Sequence, residues 1–356
     1  MRAALRRAAA ASVVLCCACA GVAVGPDPGT GSSELFERVW RDLDRHYSLF
    51  AVRGVDWDSL HAAYAARAAR AYDDWILATT ISRMLAELKD VHVNLFVNGL
   101  VMGYSDPRAA AAPFDRWVVR GTYVPDMRVA PGRTLEYGRV ASDVGYVRIP
   151  SFGPSGLADD VDAALADLAP LRALVVDLRL NSGGVSQHAV AAAARFADRE
   201  RTFAYVRYRD GPRRDDFTPR SAVTVAPAGA SRFTGPVVVA VNRSVMSAAE
   251  HFVLAMDALP AVTLVGDTTA GALGSPLTRE LPNGWTYRFP QWIEYTAGGE
   301  CLEGVGIAPD VVALASNSEL GRGKDAVLDS ALAVALRALP ARGPAAGALA
   351  RARPPR

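Results

Sequence analysis

The stretch VVVAVNRSVMSAAE, residues 237–250, joins a run of mainly β-branched residues to a helical segment through a short polar turn. The continuous apolar character of 237–241 predicts a strand that is buried on both faces. A helix is predicted from Ala248 to Ala258, which places Ser247 at its N-terminus. A serine there can be an ordinary helix cap, or its hydroxyl can be a nucleophile beside N–H groups that stabilise negative charge. This stretch alone leaves both interpretations open.

Strands and helices alternate along the chain on both sides of this stretch. Strands are predicted at 145–149, 173–178, 203–209, 262–265 and 285–289, and helices at 157–168, 185–196 and 325–339. This alternation is typical of an α/β core. Between these elements, residues 213–231 are predicted to form a polar loop. The α/β core is expected to occupy residues 144–339.

The chain ahead of this core is predicted to be mainly helical. Helices are predicted at 34–47, 55–71 and 73–88, and a strand at 92–96. Residues 34–98 are therefore expected to form a small helical N-terminal unit. The turn-rich segment 99–143 has strand-like pieces near 117–119 and 134–137, and we predict that it is a short β-linker.

Residues 1–24 are typical of a signal peptide for export. Arginines precede an apolar run over 8–20 that is too short to predict a membrane-spanning helix. Three of the four cysteines lie in this segment, so it could be a lipoprotein signal that anchors the protein to a membrane through a lipid. Residues 25–33 are predicted to be a linker, and 340–356 a disordered tail. The mature protein is expected to be extracytoplasmic: periplasmic, secreted or lipid-anchored.

Composition and motifs argue against several classes of function. The formal net charge is only +2, which gives no case for a nucleic-acid partner. The sequence has no phosphate-binding loop, no dinucleotide-binding glycine motif and no His/Cys spacing that suggests zinc. No cofactor and no metal are therefore predicted. Lysine occurs only at Lys89 and Lys324, which argues against a lysine as general base.

Two histidines are candidates for a general base. His92 lies between Asp90 and Asn94 where a predicted helix runs into a strand, and alternate residues of a strand share a face. A carboxylate or an amide could therefore orient its ring. His251 follows Ser247 by four residues on the same predicted helix, so the two could face one side. The alternatives are that His92 is a partly buried structural residue and that His251 is a surface histidine.

The sequence NSGG, residues 181–184, follows a buried strand and precedes a helix. Two adjacent glycines allow the backbone to approach a ligand closely and to turn its N–H groups outward. Such groups could form an oxyanion hole. The alternative is a strand-to-helix turn that requires positive φ angles.

Four motifs occur in a fixed order along the chain. They are LKDVH at 88–92, DLRLNSGG at 177–184, SAAE at 247–250 and EGVGIAPD at 303–310. Together they resemble the tail-specific, or C-terminal processing, serine peptidases, in the branch related to the tricorn protease core. The resemblance extends from about Glu34 to Leu339. It implies an α/β fold with a crotonase-like core.

The resemblance also implies roles for residues of this chain. Ser247 matches the nucleophile and His92 the general base. Glu303 matches the acidic partner of the tricorn-type site. The backbone N–H groups of Gly184 and Ala248 match the oxyanion hole.

This sequence departs from the family pattern in three respects. The better-known branch has a lysine base at the position of Ala272, and the tricorn protease has a serine at the position of Val91. The way in which Glu303 is coupled to the histidine is therefore left open, and Asp90 and Gly183 could assist. Many relatives also contain a PDZ domain, and the segment 99–143 is too short for one.

The expected function is that of an exported serine peptidase acting on a peptide or protein substrate. Neither a nucleic acid nor a metal is expected to take part, and the sequence does not predict an oligomeric state. The first alternative is a non-catalytic ligand-binding protein of the same fold, like the retinoid-binding relatives of this family. The second is an acyl-CoA enzyme with the shared crotonase fold, which the export signal disfavours.

Overall fold

The structure is a computed structural model that describes residues 31–106 and 112–339. The predicted signal peptide 1–24, most of the predicted linker 25–33 and the predicted tail 340–356 lie outside the described residues. In chain order, the helices are α1 (Ser32–His46), α2 (Phe50–Arg53), α3 (Trp57–Ala69), α4 (Asp74–Ala86), α5 (Arg116–Val118), α6 (Leu157–Leu168), α7 (Ser186–Ala193), α8 (Ala248–Asp257), α9 (Asn317–Leu320) and α10 (Ala326–Ala338).

The strands of the described residues form three sheets. In chain order, they are β1 (Asn94–Val97), β2 (Leu100–Gly103), β3 (Arg128–Val129), β4 (Glu136–Ala141), β5 (Val144–Arg148), β6 (Ala173–Asp177), β7 (Arg201–Tyr208), β8 (Ser221–Val225), β9 (Val237–Val241), β10 (Val262–Gly266), β11 (Pro276–Glu280), β12 (Thr286–Pro290), β13 (Trp292–Thr296) and β14 (Val311–Val312).

The largest sheet contains seven of the described strands, in the order β14-β10-β9-β6-β5-β4-β3. Neighbouring strands from β5 to β14 are parallel, and β4 and β3 extend the sheet in antiparallel fashion. Strands β6 and β9 are buried over their whole lengths. Because such strands contact packed layers on both faces, their sequences are nearly continuous apolar runs.

Helices cover both faces of this sheet. On one face, Val239 of β9 lies in a hydrophobic core with residues of α6, α7 and α8. On the other face, Val238 and Ala240 lie in a core with Ala331 and Ala335 of α10. Alternate residues of one strand thus contact opposite layers. The predicted α/β core is confirmed.

The helices α1, α3 and α4 pack around a separate hydrophobic core. Its other wall is the sheet β11-β12-β1-β2, formed by four of the described strands, and Tyr287 and Phe289 of β12 are buried there beside Trp57 of α3. Strand β1 follows α4 in the chain and pairs antiparallel with β12. A helical N-terminal region is confirmed, and its core is completed by strands from the later part of the chain.

The expectation of a polar loop over 213–231 is wrong in part, because β8 (Ser221–Val225) lies within it. This strand pairs antiparallel with β7, which pairs with β13 on its other edge. Most side chains of β8 are exposed or half-buried. The polar and proline residues that flank this five-residue strand obscured it, and its structure depends on pairing with β7.

The strand-like piece predicted near 117–119 is helical in the structure. The Asp115 carboxylate accepts hydrogen bonds from the N–H groups of Trp117 and Val118 and caps α5, which continues into a π-helical turn at Val119–Tyr123. The aromatic and β-branched residues favour a strand, but the cap decides the local structure.

The predicted divisions of the chain after residues 98 and 143 stay predictions. Strand β1 pairs with β2 across the first division, and β4 pairs with β5 across the second. The described part of 99–143 thus contributes strands to both of the larger sheets.

Candidate active site

Ser247 lies in the turn that joins β9 to α8, and its backbone is in an unusual conformation. Its φ is 58° and its ψ is −129°. A positive φ is uncommon for a residue other than glycine and costs free energy. The N–H of Ser247 donates to the carbonyl oxygen of Ala272 at 2.9 Å and lies 3.2 Å from a carboxylate oxygen of Glu250. These two contacts hold the strained residue at the N-terminus of α8.

Glu250 ties the serine turn to the loop that follows β10. Its buried carboxylate accepts hydrogen bonds from the hydroxyl of Thr269 at 2.5 Å and from the N–H groups of Gly271 and Ala272, each at 2.8 Å. Burial raises the pKa of Glu250, and these donors oppose that rise. No role is predicted for this residue from the sequence. Its position three residues after Ser247, which is the pattern of a capping box, is the signal that could have identified it.

Gly183 and Gly184 bring the loop after β6 against the serine turn. Their φ angles are 97° and 141°, which favour glycine. A Cβ atom on Gly183 would lie 2.8 Å from the Cβ of Ser247 and 3.0 Å from the nitrogen of Ala248. A Cβ on Gly184 would lie 2.2 Å from the nitrogen of Gly153. Close approach of three backbone segments therefore requires glycine at both positions.

Two N–H groups at this junction are available to a ligand. The neighbours of Gly184 are paired with Phe152: the carbonyl of Gly183 accepts from the N–H of Phe152, and the N–H of Val185 donates to the carbonyl of Phe152. Within the described residues, neither Gly184 nor Ala248 donates its N–H to a protein acceptor. The N–H of Ala248 belongs to the first turn of α8, where intrahelical acceptors are lacking.

His92 is buried between the end of α4 and the start of β1, with 6% of its surface exposed. The carboxylate of Asp90 accepts a hydrogen bond from the backbone N–H of His92 at 2.8 Å and another from the hydroxyl of Tyr47 at 2.9 Å. Burial lowers the pKa of His92 to about 4, although the charge of Asp90 acts in the opposite direction. The ring is therefore neutral at pH 7. Its Nδ1 has no hydrogen-bond partner among the described residues.

Among the described residues, Glu303 forms hydrogen bonds with backbone N–H groups and with an arginine, and not with His92. Its carboxylate accepts from the N–H groups of Leu273 at 2.9 Å and Gly274 at 3.1 Å, and from the guanidinium of Arg53 at 2.5 Å. Burial and the charge of Asp90 raise the pKa of Glu303, against the effect of Arg53. In the part of the chain that the structure describes, no hydrogen bond joins Glu303 to His92.

Arg53 connects the N-terminal helices to the site. It lies at the end of the short helix α2, which was not predicted from the sequence. Burial disfavours its charge, but the carboxylates of Asp90 and Glu303 outweigh this and raise its pKa. Arg53 thus interacts with two acidic side chains, those of Asp90 and Glu303. No local sequence signal identifies Arg53, because its partner Glu303 lies 250 residues away in the chain.

A cleft of about 180 Å³ is lined by residues that are adjacent in the chain to the predicted site residues. Its lining includes Val91, Met246 and Gly304, which are the chain neighbours of His92, Ser247 and Glu303. The remaining lining residues are Arg53, Lys89, Tyr104, Asp106, Ala270, Gly271 and Ala272. Three motifs that are far apart in sequence therefore border one cleft. The roles assigned to these residues stay predictions.

His251 is not a surface histidine, so that alternative is wrong. Its side chain is buried, and its Nε2 lies 2.5 Å from a carboxylate oxygen of Glu294 on β13. Burial lowers the pKa of His251, but the charge of Glu294 outweighs burial and raises it. A histidine that is held by a carboxylate at its Nε2 is poorly placed to take a proton from Ser247.

Two further features bear on partners. No helix in residues 31–106 and 112–339 is long and apolar enough to cross a membrane. Across the same two stretches, no group of three or more His, Cys, Asp or Glu side chains is arranged to hold a metal ion.

Comparison with known proteins identifies the family. Residues 143–313 match the sequence model of Peptidase family S41, and residues 32–86 match that of the Tricorn protease C1 domain. A crystal structure of a putative peptidase from Parabacteroides merdae ATCC 43184 superimposes with a TM-score of 0.79 at 30% identity. The match covers 86% of this chain and 98% of that one.

Two curated relatives are named as proteases. The carboxy-terminal processing protease CtpA of Bacillus subtilis (strain 168) is 28% identical over 177 residues, which are 48% of this chain and 35% of that protein. The carboxy-terminal-processing protease of Bartonella bacilliformis (strain ATCC 35685 / KC583 / Herrer 020/F12,63) is 27% identical over 196 residues, 53% of this chain and 43% of that one. The matched part thus spans less than half of each relative. The resemblance drawn from the four motifs is confirmed, and the chain belongs to peptidase family S41.

Proposed function

We propose that this protein is an exported serine peptidase in which Ser247 attacks the carbonyl carbon of a peptide bond. The observation that carries the proposal is the strained serine turn packed against Gly183. Two facts support it: Ser247 precedes the first residue of α8, and among the described residues the N–H groups of Gly184 and Ala248 have no acceptor. Relatives named as carboxy-terminal processing proteases support a polypeptide as substrate.

His92 is the proposed general base. It takes the proton of the Ser247 hydroxyl as the oxygen–carbon bond forms, and the carbonyl oxygen becomes an anion that accepts hydrogen bonds from Gly184 and Ala248. The protonated imidazole then gives its proton to the leaving amine, and water hydrolyses the acyl-enzyme by the same steps. Two features support His92: its ring is neutral at pH 7, and the carboxylate of Asp90 favours the imidazolium that forms during reaction.

Glu303 and Asp90 are proposed to have different tasks. The contacts of Glu303 with Leu273, Gly274 and Arg53 suit a positioning residue that shapes the loop beside Ser247. The charge of Asp90 is the carboxylate charge that acts most strongly on His92. Asp90 is therefore the better candidate for the acidic group that assists the base.

Covalent labelling with a fluorophosphonate tests the nucleophile. We expect the wild-type protein to be labelled and Ser247→Ala to be unlabelled, since the reagent reacts with activated serine hydroxyls. Ser330→Ala, on α10 at the opposite face of the large sheet, is the matched control and should be labelled like the wild type. Equal labelling of wild type and Ser247→Ala, or a wild type that does not react, would favour the non-catalytic binding protein.

Export is proposed from the character of residues 1–24, which lie outside the described part of the chain. An N-terminal sequence of the secreted or membrane fraction that begins after these residues would support it. Intact protein found only in the cytoplasm would contradict it. A lipid-modified cysteine at the new N-terminus would identify the lipoprotein form.

A further inference from the structure

A second, larger cavity of about 520 Å³ lies between two helices and a small sheet. Helices α7 and α8 form one side, and strands β7, β8 and β13 form the other. Most of its wall is apolar. The apolar side chains include Val190, Ala191, Ala194, Val206, Val223 and Trp292.

This cavity is adjacent to the proposed catalytic groups. Ser186, in its wall, is two residues after Gly184 and begins α7. His251, also in its wall, is one helical turn after Ser247 on α8. One turn of helix is about 5.4 Å long. Ser186 and His251 of the cavity wall therefore lie within about one helical turn of the proposed oxyanion donors and of the proposed nucleophile.

The cavity wall contains the polar side chains of Ser186, Gln187 and Tyr208 and one pair of ionisable groups, His251 and Glu294. His251 and Glu294 are both buried, and His251 Nε2 lies 2.5 Å from a carboxylate oxygen of Glu294. The charge of Glu294 raises the pKa of His251 and so favours the protonated imidazole, whose charge compensates that of the carboxylate. A charged guest would lose its hydration in this cavity, and the carboxylate of Glu294 is already in contact with His251. A large uncharged side chain would lose only apolar contact with water.

We propose that this cavity receives the substrate side chain next to the bond that is cleaved, and that it selects large uncharged side chains such as Leu, Met and Phe. This inference rests on the proposed peptidase function and specifies the substrate class of the same site. A cavity of this volume with mainly apolar walls is typical of sites that bind organic groups. The small side chains of Ala191 and Ala194 leave room in the cavity for a large side chain of the substrate. The His251–Glu294 pair forms the polar end of the cavity.

Peptides that differ only at this residue, with Ala, Leu, Phe, Lys or Glu, test the inference through kcat/KM. We expect the wild type to prefer Leu and Phe. Ala191→Leu should reduce the preference for Phe over Ala by about tenfold or more, because added carbons fill the space that a large side chain needs. Ala166→Leu is the matched control: it adds the same group at an exposed position of α6 and should leave the preference unchanged.

A second variant tests the ion pair. His251→Leu leaves the Glu294 carboxylate without its counter-charge, so peptides with Lys should gain at least tenfold relative to peptides with Leu. The double variant His251→Leu/Glu294→Gln removes both charges and should return to the uncharged preference. A circular dichroism spectrum checks that each variant is folded, and Ala191→Leu carries the test if His251→Leu is not.

The outcomes separate the two proposals. A wild-type protein that a fluorophosphonate does not label contradicts the peptidase function itself. A protein that is labelled and cleaves peptides, but whose preference is unchanged in both Ala191→Leu and His251→Leu, contradicts only the assignment of this cavity.

Discussion

Gly183 and Ser247 are in such close contact that the position of each depends on the other. Both have positive φ angles, and the Cβ of the serine lies where a side chain on the glycine would have to be. The backbone of the serine turn and the loop that carries Gly184 are therefore held in one arrangement before any substrate binds. Such preorganisation is the main means by which an oxyanion site lowers a barrier.

Gly183→Ala should separate these two segments. A methyl group 2.8 Å from the Ser247 Cβ would displace the serine turn, so we expect kcat to fall by about a hundredfold or more, similar to the loss of one oxyanion donor. Gly156→Ala is the matched control, since its φ is 84° but no atom lies within 4 Å of the added carbon. Both variants should lose about 1–2 kcal/mol of stability through backbone strain. Equal kcat in the two variants would contradict the role of the contact.

The low pKa of His92 predicts the acid limb of activity. A general base must be neutral, so kcat/KM should stay level from pH 7 to about 5 and fall tenfold per pH unit below about 4. Asp90→Asn removes a charge that raises this pKa, so the limb should move to lower pH. A limb near 6.5 would mean that the titrating group is not a buried histidine.

Stability must be measured over the same pH range. The folded pKa of His92 lies below its unfolded value of 6.5, so the unfolded chain binds more protons between the two. The contribution of His92 to the free energy of unfolding is therefore fully present above pH 6.5, and it declines as the pH falls towards 4. Circular dichroism at each pH separates this loss from the protonation of the base.

Among the elements, the helix α2 is short, but it helps to position the loop beside Ser247. Its last residue, Arg53, is the cation that balances the buried carboxylate of Glu303, and that carboxylate holds the N–H groups of Leu273 and Gly274. The helix therefore fixes the loop beside Ser247 from outside the large sheet.

Arg53→Met should lower the free energy of unfolding more than the removal of both charges does. The single variant leaves a buried carboxylate without a counter-ion, which costs roughly 3–5 kcal/mol of stability. The double variant Arg53→Met/Glu303→Gln should recover a large part of that loss. Urea unfolding at pH 7 measures both. If the double variant is as unstable as the sum of the single variants, the two side chains do not interact.

For the whole molecule, the helical N-terminal region and the α/β core should unfold together. The core around Trp57 contains Tyr287 and Phe289, and β1 pairs with β12, so neither region completes its packing alone. We expect a single thermal transition in which tryptophan fluorescence and fluorophosphonate labelling are lost at the same temperature. Labelling that survives a separate early transition would show that the core folds independently.

The sequence was most informative where local pattern and tertiary environment agree. The apolar runs at 173–177 and 237–241 predict buried parallel strands because both faces of these strands are covered. Strand β8 was missed because its exposed residues lack that pattern. The function of Arg53 could not be predicted, because it depends on a contact with Glu303 that only the tertiary fold creates.

The register of β9 limits where this chain can tolerate a change in length. A residue inserted into β9 would move Val239 to the face covered by α10 and send Val238 to the opposite layer. It would also shift Ser247 by about 3.3 Å relative to Gly183. Insertions and deletions among homologues should therefore be absent from β9 and concentrated in exposed surface connections such as 198–200 ahead of β7. Such connections are where segments of foreign sequence could be introduced with the least harm.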